Sequence, residues 1–319
     1  MDKIGVIGFG VMGKAIANCL DRSGYEVLVY DKSDSEASNA QKIGYSPCPS
    51  PGEIALKSKI IILSLPSPGI VLDVVSNDKN SILSTASKGS IIIDTSTVDA
   101  ETTQINGIKA KALGVSYLDS PILGRPSAVG KWTLPIGGDK NTIESVRHVL
   151  ESFAANIISV GPLGTGNTIK LLNNLMIGAI NSITCEVFSL CKRQSIDPNL
   201  FFETISKSGA ATVSKLFNEI APKIIENDFS PVFSINNLHK DVGLGIEMAM
   251  KSEMRLKISE SVQELNEIAI SEGFGNEDTS AIIKSLDKNS YLFIINELSD
   301  NLSTVKLIWG LHKEVIVNI

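Results

Sequence analysis

The sequence predicts an α/β domain joined by a long helix to an all-α domain, and three observations predict it. Over roughly the first half, short β-branched runs alternate with helix-length stretches, the pattern of a parallel sheet with helices on both faces. After Gly166 no convincing strand is read, and helix-period patterns follow one another. Between the two textures lies the glycine-rich segment Gly161–Gly166, which leads directly into the linking helix. The expected division is therefore 1–162 and 163–319, and a chain of 319 residues agrees with two domains.

The elements follow in order. Lys3–Ile7, Glu26–Tyr30, Ile60–Leu65, Ser90–Asp94, Ser116–Leu118 and Thr133–Ile136 read as strands from their β-branched content. Met12–Arg22, Ser35–Ile43 and Gly69–Val75 have the length and period of helices. In the second half the helical windows are 167–192, 199–208, 211–226, 238–252, 258–272 and 278–287. Asp197-Pro198 supplies an N-cap followed by proline at the first helical position. The tail from Asn289, with VKLIWGLHKEVIVNI, is open between a final helix, a strand and an oligomer contact, because its periodicity does not choose.

Composition removes several function classes. The chain carries 29 Lys and Arg against 35 Asp and Glu, a net charge of −6. It lacks the basic footprint of a nucleic-acid binder and the polybasic patch that reads anionic lipid. Mean hydropathy is positive (+0.16), but no run of membrane-spanning length is free of polar or charged residues, so no membrane partner is expected. The opening MDKIGVIGFG enters a glycine turn without a small-residue cleavage pattern, which argues against a secretory signal and for a cytoplasmic or organellar location. Cys19, Cys48, Cys185 and Cys191 form no CxxC pair and no metal-ligand spacing with the three histidines. They are expected to be buried reduced thiols, and no metal is expected.

Gly8-Phe9-Gly10-Val11-Met12-Gly13 is a GxGxxG that follows an apolar strand and opens a helix. The first glycine permits the tight turn, the second lets backbone approach a pyrophosphate, and the third allows helix and strand to pack closely. The helix N-terminus adds free N–H groups and the positive end of its dipole. Asp31 ends the second strand 18 residues after Gly13, where an acidic side chain accepts hydrogen bonds from ribose hydroxyls. These features make the first domain a Rossmann-type dinucleotide-binding unit. Asp31 repels a 2′-phosphate, so NAD is preferred; Lys32 beside it keeps NADP as the alternative.

The second constellation is Gly161-Pro-Leu-Gly164-Thr-Gly166-Asn-Thr-Ile-Lys170-Leu-Leu-Asn173-Asn174. On a helix, offsets of three and four bring Lys170, Asn173 and Asn174 to one face. A lysine partly desolvated among apolar neighbours has a lowered pKa, as a proton donor near neutral pH requires. A solvated helix lysine with ordinary polar neighbours is the alternative that the local pattern leaves open.

With these motifs in hand, the chain resembles the β-hydroxyacid dehydrogenase family, which includes 3-hydroxyisobutyrate dehydrogenase and the glyoxylate/succinic semialdehyde reductases. The resemblance runs from residue 3 to about 288, with the motifs in the family's order. Asp94-Thr-Ser96-Thr97 is similar to the D-x-S-[ST] segment near the nicotinamide, and Leu238-His-Lys240-Asp241 to the family's K-D pair. Asp119-Ser-Pro121-Ile-Leu-Gly124-Arg125 resembles the substrate-binding D-A-P-V-S-G-G, and Gly273–Ser280 a late G-x-x-x-x-D-x-S segment.

The resemblance implies Lys170 as catalytic acid/base with Asn174 as its helper. It implies cofactor contacts from Gly8, Phe9, Gly10, Val11, Met12, Gly13, Asp31, Lys32, Leu65, Pro66, Ser96, Thr97 and Lys240. Ser96, Leu123, Gly124, Arg125, Asn173 and Asn174 would meet the substrate. The expected activity is NAD(P)-dependent hydride transfer to or from a small β-hydroxy acid or its semialdehyde, in the cleft between a Rossmann domain and a C-terminal domain like that of 6-phosphogluconate dehydrogenase. A homodimer or homotetramer is expected as well. An imine-reductase-like enzyme and a non-catalytic dinucleotide sensor are the rival readings; Lys170 speaks against the first, and retention of Lys170, Asn174 and Lys240 together against the second.

The substrate loop departs from the family pattern. Where relatives place Ser-Gly-Gly, this chain has Leu123-Gly124-Arg125, so a hydroxyl is lost and a guanidinium gained. Either Arg125 pairs bidentately with a substrate carboxylate, or Leu123 makes the pocket more apolar while Arg125 structures the loop. Trp132 lines this loop or simply packs. His148, His239 and His312 have no partner pattern and read as packing or capping residues.

Overall fold

The computed structural model describes residues 3–208, 212 and 214–288, together with the backbone of 304–309 and 313–318. Eight strands form one sheet: β1 (Lys3–Ile7), β2 (Glu26–Tyr30), β3 (Ser46–Pro47), β4 (Ile60–Leu63), β5 (Ile91–Asp94), β6 (Ser116–Asp119), β7 (Trp132–Gly137) and β8 (Ala154–Gly161). Their order is β3-β2-β1-β4-β5-β6-β7-β8. Pairing is parallel from β3 to β6 and again between β7 and β8, and antiparallel between β6 and β7. The register aligns Tyr30, Ile7, Leu63, Asp94 and Asp119 in one row. The carboxyl ends of the five strands therefore finish level, where ligands of such sheets bind.

Strands β4 and β5 are nearly continuous isoleucine, as a strand buried on both faces requires. Alternation divides them between two cores. Ile4, Val6, Ile62 and Ile93 face one, with Ile16 and Leu20 of helix α1 (Val11–Arg22). Ile7, Ile61, Leu63 and Ile92 face the other, with Ile54. The remaining helices of this half are α2 (Asp34–Lys42), α3 (Pro51–Lys57), α4 (Pro68–Leu72, continued by a π turn to Asn77), α5 (Ala100–Ala112) and α6 (Lys140–Leu150).

Several of these elements lie outside the expected set. Helices α3, α5 and α6 carry side-chain N-caps, from Ser50 to Glu53 N–H, Asp99 to Thr102 and Asp139 to Thr142, signals present in the sequence. Half of the residues of strand β8 are exposed, and Asn156 and Ser159 interrupt it, which dilutes its hydrophobic pattern.

The second half contains α7 (Thr165–Arg193), α8 (Pro198–Lys207), α9 (Lys215–Glu226), α10 (Ile235–Lys251), α11 (Lys257–Ser271) and α12 (Ile282–Lys288). Asp197 caps α8 through the Asn199 N–H with Pro198 at the first position. The expected start of a helix at 211 falls partly on residues outside the description. The window 278–287 opens with a 3₁₀ turn, Thr279–Ala281, because the Asp278 carboxylate accepts the Ser280 N–H. Helix α7 is apolar enough over an 18-residue window to match a membrane span, and half of that window is buried inside the protein. In the tail, which the sequence leaves open between a helix, a strand and an oligomer contact, β9 (Thr304–Trp309) pairs antiparallel with β10 (Lys313–Asn318). Runs rich in Val and Ile favour pairing once an antiparallel partner is adjacent. His312 lies outside the described residues.

By internal contacts the chain forms two compact units, Met1–Ile177 with Lys240–Glu260, and Gly178–His239 with Ser261–Ile319. The first contains the sheet, the start of α7 and most of α10. The second holds a core of Phe188, Phe217, Ile220, Ile235 and Ile282. Burial is uneven among the thiols: Cys185 and Cys191 are buried, whereas Cys19 and Cys48 are only partly so.

Candidate functional site

The site assembles within the first unit, at the level strand ends. Gly8 has φ +92, and a Cβ there would strike the Ser64 carbonyl; one at Gly13 would strike the carbonyl of Gly8. A Cβ at Gly10 would meet nothing within 4 Å. Helix α1 has no side-chain cap, and Val11 in its first turn is 70% exposed. An open glycine before uncapped N–H groups is a cradle that a pyrophosphate fits.

Asp31 accepts the Phe9 N–H at 2.7 Å through one oxygen and the Ser33 N–H at 2.8 Å through the other. Each oxygen keeps a lone pair for a further donor. The Phe9 side chain is 1% exposed and packs edge-on against Tyr45, so only its backbone faces the turn. Met12 packs partly into the core, while Lys32 and Pro66 are exposed.

Beside this turn, the Leu65 N–H donates to Ser96 Oγ at 2.9 Å. The Ser96 N–H donates to Asp94 Oδ1 at 2.9 Å, and the Tyr117 hydroxyl donates to Asp94 Oδ2 at 2.8 Å. Asp94 is fully buried, and burial pushes its carboxyl up to about 6 against the pull of the Ser96 and Tyr117 hydrogen bonds. Tyr117 is driven well above the usual phenol range by burial, with the Asp94 charge adding to it.

Lys170 lies in the second turn of α7 and donates from Nζ to the Ile122 carbonyl at 2.8 Å. Its surface is partly covered, but the ammonium is closely surrounded. Burial lowers its pKa, Asp241 opposes that shift and Lys240 reinforces it. Asn173 donates to Asn174 Oδ1 at 3.1 Å, and buried Asn174 donates to Asp241 Oδ2 at 2.5 Å. Lys240 pairs with Asp241 Oδ1 at 2.8 Å and donates to the Thr97 carbonyl at 3.0 Å. A Cβ on Gly245 would press into Leu175 at 2.8 Å, so this glycine lets α10 approach α7 closely enough for these bonds.

The loop that departs from the family pattern is braced by β7. Leu123 and Thr133 exchange backbone hydrogen bonds at 2.9 and 3.2 Å. Fully buried Trp132 donates from Nε1 to the Arg125 carbonyl at 2.8 Å, and Gly124, at φ +150, lies flat against the indole. Trp132 therefore packs and shapes the loop at once.

Asp119, Asn167 and Asp241 were not singled out from the sequence. The first and last were visible only as members of the D-S-P and K-D segments, because their partners are distant in the chain. The carbonyl of His239 accepts from Gln263 Nε2 at 3.1 Å. Among the described residues no three His, Cys, Asp or Glu side chains group as a metal centre would need.

Residues 3–161 match the family profile described as the NAD binding domain of 6-phosphogluconate dehydrogenase. Residues 164–286 match that described as the NAD-binding domain of NADP-dependent 3-hydroxyisobutyrate dehydrogenase. The chain belongs to the β-hydroxyacid dehydrogenase family. It is 30% identical over 284 residues to 2-(hydroxymethyl)glutarate dehydrogenase of Eubacterium barkeri, covering 88% of this chain and 94% of that protein. It is also 30% identical over 292 residues to 3-sulfolactaldehyde reductase of Escherichia coli K12, covering 90% and 96%. The fold superposes on the crystal structure of 3-hydroxyisobutyrate dehydrogenase from Salmonella typhimurium with a TM-score of 0.81 at 22% identity, covering 89% and 99%. This family member is an NAD(P)-dependent hydroxyacid dehydrogenase.

Proposed function

We propose that this dehydrogenase acts on a small β-hydroxy acid or its semialdehyde, with Lys170 as general acid/base. The observation that carries the reading is the Lys170 ammonium, held at the substrate loop by the Ile122 carbonyl, its pKa lowered by burial, one helical turn from Asn174. In the oxidation direction neutral Nζ accepts the hydroxyl proton; in reduction the ammonium gives it to the carbonyl oxygen. Bound nicotinamide would supply or take the hydride, while the residues of the chain orient and polarise the substrate. Asn174, fixed by Asp241, steers the reacting oxygen towards Lys170 without adding charge.

The glycine turn and α1 would hold the pyrophosphate, and Asp31 the adenosine ribose. Leu65, Pro66, Ser96, Thr97 and Lys240 would line the nicotinamide end. Asp31 favours NAD, since a 2′-phosphate would meet its carboxylate. Residues 1–162 thus supply the cofactor turn, and 163–319 supply Lys170 and Lys240. Leu123, Gly124, Arg125 and Asn173 would meet the substrate, with Arg125 pairing to its carboxylate.

The test is a turnover screen of short-chain hydroxy acids and semialdehydes with NAD and NADP in parallel. Lys170→Ala is expected to lower kcat by about 10²–10⁴-fold while cofactor affinity stays near that of the parent. Parent-like kcat in this variant would remove Lys170 from the mechanism. Arg125→Ala is expected to raise KM for carboxylate substrates selectively. Tight cofactor binding with no turnover on the whole panel would favour the sensor.

A further inference from the structure

The start of α7 is held by a side chain that the resemblance left without a role. Asp119, the last residue of β6, is fully buried. Its Oδ1 accepts the Gly164 N–H at 2.7 Å and its Oδ2 the Asn167 N–H at 2.8 Å. Both donors belong to the entry of α7, where a helix cannot bond its own N–H groups. The carboxylate is therefore an N-cap supplied from another element.

Its fit is close. A Cβ at Gly137 would strike Asp119 Oδ1, and one at Gly166 would lie 2.9 Å from Oδ2 and 2.5 Å from the Pro135 carbonyl. Burial pushes the carboxyl up, and the N–H groups of α7 oppose that shift.

Three candidate segments meet at this anchor. Chain continuing from Asp119 through Ser120 and Pro121 reaches Ile122, whose carbonyl accepts from Lys170. Lys170 itself stands one helical turn beyond the Asn167 N–H that Asp119 accepts. Asn167 then turns its side chain the other way: Oδ1 accepts the Val98 N–H at 3.3 Å, and Nδ2 donates to Thr103 Oγ1 at 3.1 Å. That bond secures the residue after Ser96 and Thr97. Lys170, the Ile122 carbonyl and the Ser96–Val98 segment are all referred to one carboxylate.

We infer that Asp119 is a positioning residue for Lys170, fixing the register of α7 against the substrate loop so that Nζ meets the Ile122 carbonyl. The inference rests on the reading of Lys170 as acid/base. Asp119 acts through Lys170, since its fully buried carboxylate is taken up by the N–H groups of α7.

The test is Asp119→Asn in the full chain, which keeps one acceptor and places an amide N–H against a backbone N–H. The Lys170 titration is read directly, by the shift of its ¹³Cε in lysine-labelled protein, alongside kcat and NAD affinity. The expected result is a Lys170 titration moved back towards that of an ordinary lysine, with kcat about 10²-fold lower, the scale of an ångström-level misplacement, and NAD affinity within about twofold on the reasoning that the α1 turn is a separate anion site.

A folded variant with unchanged Lys170 titration and kcat would overturn the inference. Asp119→Ser, which retains one oxygen acceptor of smaller reach, is read the same way if the asparagine variant does not fold. Failure of both to fold would overturn the inference too, by making Asp119 a folding residue alone. If Lys170→Ala keeps parent activity, the acid/base reading fails separately, and the ¹³Cε titration still decides whether Asp119 positions the lysine.

Discussion

The glycine-rich turns that lead from a strand into α1 and into α7 treat the helix N-terminus in opposite ways. At α1, Gly10 is open, no side chain caps the helix, and Asp31 bonds the N–H of Phe9 outside the first turn. At α7, Asp119 occupies the N-terminus from within the fold, and Gly166 has no room for a Cβ. The same partial positive charge is left open in one case and consumed by an internal anion in the other. A glycine pattern by itself therefore does not identify an anion site; the contents of the turn do.

Three substitutions probe that contrast. Gly166→Ala is expected to have the largest effect, because a methyl group would press on backbone oxygen and on Asp119. A loss of about 1–3 kcal/mol of stability is the scale of overpacking, read from denaturant unfolding; a parent-like midpoint would show that α7 has slack at this turn. Gly10→Ala should leave that midpoint unchanged, since nothing lies within 4 Å. Its NAD Kd is expected to rise roughly tenfold, the upper range for an anion at a helix terminus. Unchanged titration of NAD against this variant would mean that no ligand backbone comes close there.

The smallest effect contrasts Asp119 with Asp94, a buried carboxylate that caps no helix. The Asp94 carboxyl is raised to about 6 in the fold, above the ordinary value it regains on unfolding. The folded form then binds more protons across that interval, so stability falls as pH rises through it. Asp94→Asn should remove about 1 kcal/mol of this decline between about pH 5 and pH 7, seen as a difference between parent and variant unfolding curves. Parallel curves would mean that Asp94 keeps an ordinary pKa.

Much of the site was legible because its chemistry is local. The glycine turn, Asp31 and the Lys170–Asn174 spacing lie within short segments whose period places them. What escaped were partners distant in the chain, such as Asp119 with Asn167 and Asn174 with Asp241. Elements escaped where exposure weakened the pattern, as in β8, or where the N-cap of a short helix was the main signal, as in α3.

The sequence alone determined the alternation of strands and helices, the identity of the turn before α1 and the family, since period and backbone permissiveness are properties of neighbouring residues. Only the tertiary structure decided which helix N-terminus stays open, which carbonyl holds Lys170 and how Trp132 shapes the loop at Arg125. Those outcomes depend on which groups are brought together out of water, where a carboxylate or ammonium must find its partners within the fold.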